Sequence, residues 1–351
     1  MAEVKKPRNY GVDLLRLVLM YEICVGHVML KGNLLTAGKQ SHILTYWVLE
    51  VAFLWSVDSF GFISGYMAKD RPQKYEKIVK MWFQAFFYSF ILTVILLAVG
   101  YAKSPGTVEI VKTLFPVCTG NFWYFTSYFA LFFLEPVLNR FLFSIDEQTA
   151  KKTFIVLFVL FTFTDIVSDP FKLNGGQSAL WLMMLYCLGV LGRKIHIFEK
   201  TKTSRLLLIW VIDSVITYLG IFPQLGLFGN SSPTMCLNAI IMVVLFSRLK
   251  LKGTIISKLS PYAFGVYLFQ LNIIIWARLE SDCAFISDKS LPVGIACVLG
   301  VSLLLWAAGL LVDFLRSLLE RLLRIPLLSR KIADGAGHLL DKMTRTKEPV
   351  S

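Results

Sequence analysis

Four ionisable side chains lie within one apolar stretch near the start of the chain. The stretch is YGVDLLRLVLMYEICVGHV, residues 10–28, and its ionisable residues are Asp13, Arg16, Glu22 and His27. It is long enough to cross a bilayer as a helix, where each such side chain costs about 2.5 kcal/mol or more at the centre. Ionisable residues kept at this cost are typical of binding sites and of paths for ions or substrates.

The spacing of Arg16 and His27 places both on one side of this predicted helix. They are eleven residues apart, which at about 100° per residue is roughly 1100°, or about 20° beyond three full turns. The same spacing separates them by about 16 Å along the axis. Asp13 precedes Arg16 by three residues and can pair with it, whereas Glu22 lies about 120–140° from this face and needs another neighbour.

Two interpretations of these residues follow. In the first, Arg16 pairs with Asp13 or extends to the membrane surface, and His27 makes a hydrogen bond to another helix. In the second, the acid, the guanidinium and the imidazole line a pathway, in which His27 serves as a base near neutral pH. The residues fit a pathway for ions, for a sugar or for an acyl group alike.

The composition indicates an integral membrane protein. Of 351 residues, 56% are hydrophobic, 14% aromatic and 17% charged, against about 45–50% apolar and about 25% charged in soluble domains. The net charge of +13 does not indicate nucleic acid as a partner, because the basic residues lie at the ends of apolar segments. The six cysteines have neither CxxC nor metal-ligand spacing, so neither a metal site nor a disulfide is expected. No cleaved signal peptide is expected, because many further spans follow the first.

The apolar pattern predicts an all-α fold of about ten membrane-spanning helices. Seven basic residues lie in the odd-numbered connections, and 28 of the 36 lie in the N-terminus, the even-numbered connections and the tail. This bias predicts that both termini are cytoplasmic. The spans are predicted at about residues 10–30, 43–67, 78–100, 122–143, 153–168, 178–192, 205–222, 233–249, 261–279 and 291–315.

The chain is divided into a polytopic membrane domain, residues 1–324, and a basic cytoplasmic tail, residues 325–351. Across this boundary, the segment DFLRSLLERLLRIPLLSRK has Leu and Ile at helical spacing with Arg opposite. This pattern predicts an amphipathic helix on anionic lipid. The alternative is a simple extension of the last span.

The order Asp13, Arg16, ten residues, His27 resembles the first span of the membrane acyltransferase-three family. Later segments are similar to that family in the same order, and the resemblance covers nearly the whole chain. They are SVDSFGFISGYM (56–67), GNFWYFTSYFALFFLEPVLN (120–139), LWLMMLYCLGVLGRK (180–194) and SPYAFGVYLFQLN (260–272). The resemblance is greatest to members that acetylate capsular or exopolysaccharide, and it implies an integral membrane O-acyltransferase of the bacterial cytoplasmic membrane.

The resemblance implies a catalytic group of His27, Arg16 and Asp58. His27 would be the base for a sugar hydroxyl, or would carry the acyl group transiently. Arg16 would stabilise negative charge on the donor side. Asp58 would either orient His27 from a neighbouring helix or cap a polar pocket.

The resemblance also implies acetyl-CoA from the cytoplasm as acyl donor. The family has an Arg-x-x-Arg at the start of the third span, where this chain has KYEKIVKMW. Lys77 and Lys80 keep the spacing, and Arg71 lies nearby, so these three are expected to bind the donor phosphates. Lysine binds phosphate as a point charge and lacks the bidentate contact of arginine.

The acceptor implied by the resemblance is a sugar hydroxyl of a surface glycan or of its lipid-linked precursor. Trp123 and Tyr124 would stack on the sugar, although aromatic residues at this depth also form membrane-interface belts. Gln270 stands near the position where some family members have His, and it would position a hydroxyl. Asp13 completes the predicted substrate site, and Glu135 lies in an apolar run and needs a partner.

Two other functions fit the same residues. In a transporter or flippase for a sugar, a lipid-linked glycan or an ion, the intramembrane charges would bind or couple the substrate, but the chain has no matching pair of broken spans. In a membrane scaffold of a polysaccharide assembly complex, Arg16 and His27 would tolerate substitution.

Overall fold

The computed structural model describes residues 8–37, 39–71, 73–221 and 225–344, apart from the side chains of residues 254 and 339–344. These residues form α-helices joined by short turns, with no β-strand among them. A π-helical turn, Phe87–Ile91, joins the fourth helix to the fifth. The helices are α1 Tyr10–Lys31, α2 Gln40–Phe53, α3 Ser56–Tyr66, α4 Tyr75–Phe86, α5 Leu92–Ala98, α6 Thr107–Lys112, α7 Trp123–Ser144, α8 Glu147–Val167, α9 Ala179–Lys194, α10 Thr203–Ile221, α11 Pro233–Ser247, α12 Thr254–Leu259, α13 Ala263–Gln270, α14 Ile273–Cys283, α15 Leu291–Leu322 and α16 Ile325–Thr344.

The predicted all-helical class is confirmed, and each predicted span coincides with a helix or with consecutive helices. Within the described residues, and with consecutive helices such as α2 and α3 taken together, length and composition identify four helical segments that can cross a membrane, or five if the bent pair α12–α13 and α14 is one span. The four are Gln40–Tyr66, Tyr75–Ala98, Thr203–Ile221 and Leu291–Leu322. The count of ten spans and the cytoplasmic position of both termini stay predictions.

Helix α1 lies at the centre of the bundle and packs against α2, α3, α11, α13 and α15. Its N-terminus is capped by Asn9, whose side chain accepts a hydrogen bond from the backbone N–H of Val12 at 3.1 Å. Gly32 follows its last turn, where its backbone N–H donates to Val28 at 2.8 Å. The central position surrounds the ionisable residues of α1 with protein instead of lipid.

Glycines allow α3 and α9 to cross in direct contact. A Cβ at Gly65 would lie 1.9 Å from the carbonyl oxygen of Tyr186, and one at Gly189 would lie 2.2 Å from that of Phe62. Small residues permit this approach of helix backbones, which stabilises packing between helices in membranes. The crossing fixes α3, and therefore Asp58 and Ser64, relative to α9.

The chain bends by 75° between α13 and α14. Asn272 stabilises the bend, because its side-chain carbonyl caps the first backbone N–H groups of α14. Its amide donates to the carbonyl of Tyr88 at 2.7 Å and to Thr93 Oγ1 at 2.8 Å. Gln270 ends one helix at this bend, and Trp276 lies in the first turns of the next.

Residues 313–322 continue α15, as the alternative interpretation, an extension of the last span, predicts. Contact of this segment with anionic lipid stays a prediction. Arg316 faces the protein interior, where only 7% of it is exposed, because it donates a hydrogen bond to buried Asp313 at 2.7 Å. Leu318 and Leu319 are exposed instead.

Helix α16 begins just beyond this extension and packs against α4. The predicted boundary between residues 324 and 325 therefore coincides with the break between α15 and α16. The predicted tail is described only to residue 344, and parts of the predicted membrane domain, residues 1–7, 38, 72 and 222–224, lie outside the described residues. The division into two domains stays a prediction.

Replacing Gly189 by Ala tests the α3–α9 crossing. The added methyl group overlaps the backbone of α3, so we expect a loss of about 1–3 kcal/mol in stability and a lower melting temperature in detergent. Gly300→Ala on α15 is the matched control, since nothing lies within 4 Å of that position. Equal melting temperatures for the two variants would contradict the crossing.

Candidate functional site

A cavity of about 510 Å³ lies beside α1. The residues of α1 that line this cavity are spaced three or four apart, as on one face of a helix: Arg16, Met20, Ile23, His27 and Leu30. The prediction that Arg16 and His27 share one face of the helix is therefore confirmed, and that face borders an internal space. We call this space the main cavity.

Two further cavities continue from the main cavity at the Arg16 end. The second cavity, of about 350 Å³, shares four lining residues with the main cavity: Arg16, Ser64, Lys77 and Tyr128. The third cavity, of about 360 Å³, shares Arg71, Gln73 and Asn139 with the second. These three adjoining cavities, which we call the path, extend from His27 to the polar region at the start of α4, with the shared side chains between them. We refer to the four residues shared by the main and second cavities as the neck.

His27 is held by a side chain from the bend of the chain. Its Nδ1 lies 2.9 Å from Oε1 of Gln270. Since an amide oxygen only accepts hydrogen bonds, Nδ1 is the donor in this orientation of Gln270, and in the neutral imidazole Nε2 is then the nitrogen with the lone pair. The edge of the imidazole also contacts the ring of Trp276, with 4.9 Å between ring centroids. These contacts fix the orientation of the imidazole at the wall of the main cavity.

Arg16 is anchored by the partner that the sequence predicted. Its guanidinium donates to Asp13 at 2.8 Å, and Arg8 contacts the other oxygen of the same carboxylate. Asp13 is only 4% exposed and lies outside the cavity lining. The carboxylate therefore holds Arg16 in place, and the structure does not bring Asp13 to the space where a substrate would bind.

Asp58 does not contact His27. Its side chain is fully buried and accepts a hydrogen bond from Nε1 of Trp181 at 2.9 Å. The reason is the packing of α3 on α9, which turns this carboxylate away from α1. Of the two roles considered for Asp58, orientation of His27 is contradicted, and Gln270 makes that contact.

The predicted donor-binding cations separate into two groups. Lys77 lies at the neck, where it contacts the hydroxyl of Tyr128, and Arg71 lines the second and third cavities. Lys80 instead pairs with Glu76 one turn earlier on α4 and lines none of these three cavities. The structure therefore brings Lys77 and Arg71 together along the path and excludes Lys80.

The predicted aromatic residues face the main cavity. Trp123 and Tyr124 both line it, with 5.6 Å between their ring centroids. Gln270 is fully buried against His27, so it positions the imidazole and leaves the cavity wall to its neighbours.

Two acids within apolar helices, one buried and one half-buried, have the partners that their positions require. Glu22 contacts the hydroxyl of Ser56, and Glu135 accepts a hydrogen bond from Gln73 at 2.8 Å. Glu135 also lines the second cavity. Within the described part of the chain, no group of three or more His, Cys, Asp or Glu is arranged to hold a metal ion.

Several lining residues were not predicted. Tyr128 lies one turn after Tyr124 on α7, so helical spacing was a usable signal for it. Trp276 lies beyond the bend in a different helix, and nothing in its local sequence indicates a contact with His27. Gln177 also lines the main cavity, from the loop before α9.

Comparison with known proteins identifies one family. A family model described as an acyltransferase domain, Acyl_transf_3, matches residues 9–312. No curated protein and no solved structure matches the chain. The match includes every residue of the three cavities named above.

The continuity of the path is tested by thiol labelling of α3. Ser64 lies at the neck, whereas Ser59 on the same helix is fully buried away from the cavities. With Cys118 and Cys297 replaced by Ala, the four remaining cysteines are buried. We expect a small hydrophilic thiosulfonate to modify Ser64→Cys many times faster than Ser59→Cys. Equally slow modification would show that water does not reach the neck.

Proposed function

Since this chain belongs to the acyltransferase-three family and is a membrane acyltransferase, we propose that it moves an acetyl group from cytoplasmic acetyl-CoA to a sugar hydroxyl. One observation carries this proposal. Adjoining cavities extend from a cationic neck to a histidine that is held through its Nδ1 nitrogen. The acceptor is a capsular or exopolysaccharide, or its lipid-linked precursor, at the bacterial cytoplasmic membrane.

The charges along the path suit a polyanionic donor. Arg71 and Lys74 line the second cavity, and Lys77 and Arg16 stand at the neck. Phosphate oxygens gain strong charge-assisted hydrogen bonds from such groups. With the phosphates held in the second and third cavities, the long pantetheine arm passes the neck and brings the thioester towards His27.

The reaction at His27 is an acyl transfer with general base catalysis. Nε2 of His27 accepts the proton of the sugar hydroxyl while the hydroxyl oxygen forms a bond to the thioester carbonyl carbon. The carbon–sulfur bond then breaks, and the proton on Nε2 passes to the sulfur of CoA. Gln270 keeps Nδ1 protonated, so the nitrogen with the lone pair is the one available as the base. Arg16 stabilises negative charge on the donor side of the reacting group.

The first prediction concerns the base. His27→Ala and His27→Gln lower acetyl transfer by a factor of about 100 or more, while the affinity for acetyl-CoA changes little because its phosphates bind elsewhere. The measurement is transfer of radiolabelled acetyl from acetyl-CoA to deacetylated envelope glycan by the purified protein, with donor affinity from calorimetry. Full acetyl-transfer activity of both variants would contradict the proposed mechanism. Glycan uptake without covalent labelling would indicate the transporter instead.

The second prediction compares two lysines on α4. Lys77→Ala removes a cation from the neck, so we expect the KM for acetyl-CoA to rise about tenfold or more. Lys80→Ala is the matched control, because Lys80 pairs with Glu76 outside the cavities. We expect its KM to stay near the wild-type value. Equal effects of the two substitutions would place the donor elsewhere.

A further inference from the structure

A separate cavity opens at the other end of α1. It has a volume of about 660 Å³, and we call it the distal cavity. Its lining comes from the end of α1, the following loop, α14 and the turns after it: Leu30, Lys31, Gly32, Asn33, Ala37, Trp276, Glu280, Ala284 and Ser287. Leu30 and Trp276 also line the main cavity. The distal cavity is therefore separated from His27 by two side chains.

Trp276 has a different neighbour on each side. The edge of the His27 ring lies against it, with the two rings at 78° to each other. Nζ of Lys31 lies 4.6 Å from the centroid of the indole. Lys31 also lies 3.6 Å from Oε2 of Glu280, so it can leave the ring without losing its counter-charge. The indole therefore stands between the distal cavity and the base.

The charge of the distal cavity is unlike that of the donor path. The second and third cavities present six cations against two acids, Asp70 and Glu135; the cations are Arg16, Lys69, Arg71, Lys74, Lys77 and Arg140. The distal cavity has one lysine, and Glu280 balances its charge. A polyanionic nucleotide would gain little electrostatic attraction there. A neutral polyhydroxyl compound could pack on the aromatic ring and make hydrogen bonds to the neighbouring donors and acceptors.

We propose that the distal cavity binds a sugar unit of the acceptor, with Trp276 as the platform on which the sugar ring packs. This inference rests on the proposed acyl transfer and names the acceptor site for it. The sugar replaces Lys31 on the face of the indole, and Lys31, Glu280 and Asn33 bond to its hydroxyls. Donor and acceptor then approach His27 from opposite ends of α1, and the reacting hydroxyl reaches Nε2 past Trp276.

The kinetic test uses Trp276→Ala and, as the conservative variant, Trp276→Phe. With deacetylated envelope glycan as acceptor and labelled acetyl-CoA as donor, the alanine variant should raise the KM for glycan about tenfold. In the Trp276→Phe variant, the KM for glycan should return most of the way to the wild-type value. The KM for acetyl-CoA should change far less, because its phosphates bind in the second and third cavities, which Trp276 does not line. A raised donor KM with unchanged glycan KM would overturn the acceptor site.

A labelling test keeps the inference separate from the proposed function. Glu280 lies in the distal cavity, and its neighbour Ser281 is exposed but lies outside it. A bulky maleimide on Glu280→Cys should strongly lower acetyl transfer to glycan while the affinity for acetyl-CoA, measured by calorimetry, stays unchanged, and the same label on Ser281→Cys should change neither. Transfer that survives the Glu280→Cys label would reject the distal site alone. Absence of any transfer by the wild-type protein would reject the proposed function itself.

Discussion

An apolar helix can keep ionisable side chains only if neighbouring groups or water satisfy them. Helix α1 meets this requirement three times. Arg16 is satisfied by Asp13 on its own helix, Glu22 by Ser56 of α3, and His27 by Gln270 at the end of α13. Two of these partners belong to other helices, so the chemistry of α1 constrains which helices surround it. The remaining free side of Arg16 and His27 borders the main cavity.

A second buried charge cluster positions the helix that carries Gln270. Asp313 of α15 accepts hydrogen bonds from Gln84 at 2.9 Å, Tyr88 at 3.0 Å and Arg316 at 2.7 Å. A Cβ at Gly265 would lie 2.2 Å from Cγ of Asp313, so only glycine lets α13 approach this carboxylate so closely. The cluster therefore joins α4, the π-helical turn, α13 and α15. Through α13 it reaches the amide that holds His27.

Sequence periodicity predicts the features that depend on one helix, and it misses those that depend on packing between helices. The stripe of Arg16 and His27, and the need of Glu22 for a separate partner, follow from residue spacing alone. The partner of Asp58 depends on how α3 crosses α9, and the contact of Trp276 with His27 depends on a bend that brings α14 to α1. Lys80 is a different case, because its partner Glu76 lies one turn away on the same helix, a spacing that the sequence already contains. The pattern of residues 313–331 predicted Arg316 on the polar surface, but its ion pair with buried Asp313 places it in the protein interior.

The central claim is that acyl donor and base meet in one cavity along α1. A structure of the protein with a ketone analogue of acetyl-CoA, which cannot transfer its acyl group, tests this most directly. The account predicts the phosphates beside Arg71 and Lys77, the pantetheine arm through the neck, and the ketone carbonyl next to His27. An analogue with its phosphates in the distal cavity, or with its carbonyl on a lipid-facing surface of the bundle, would contradict the account.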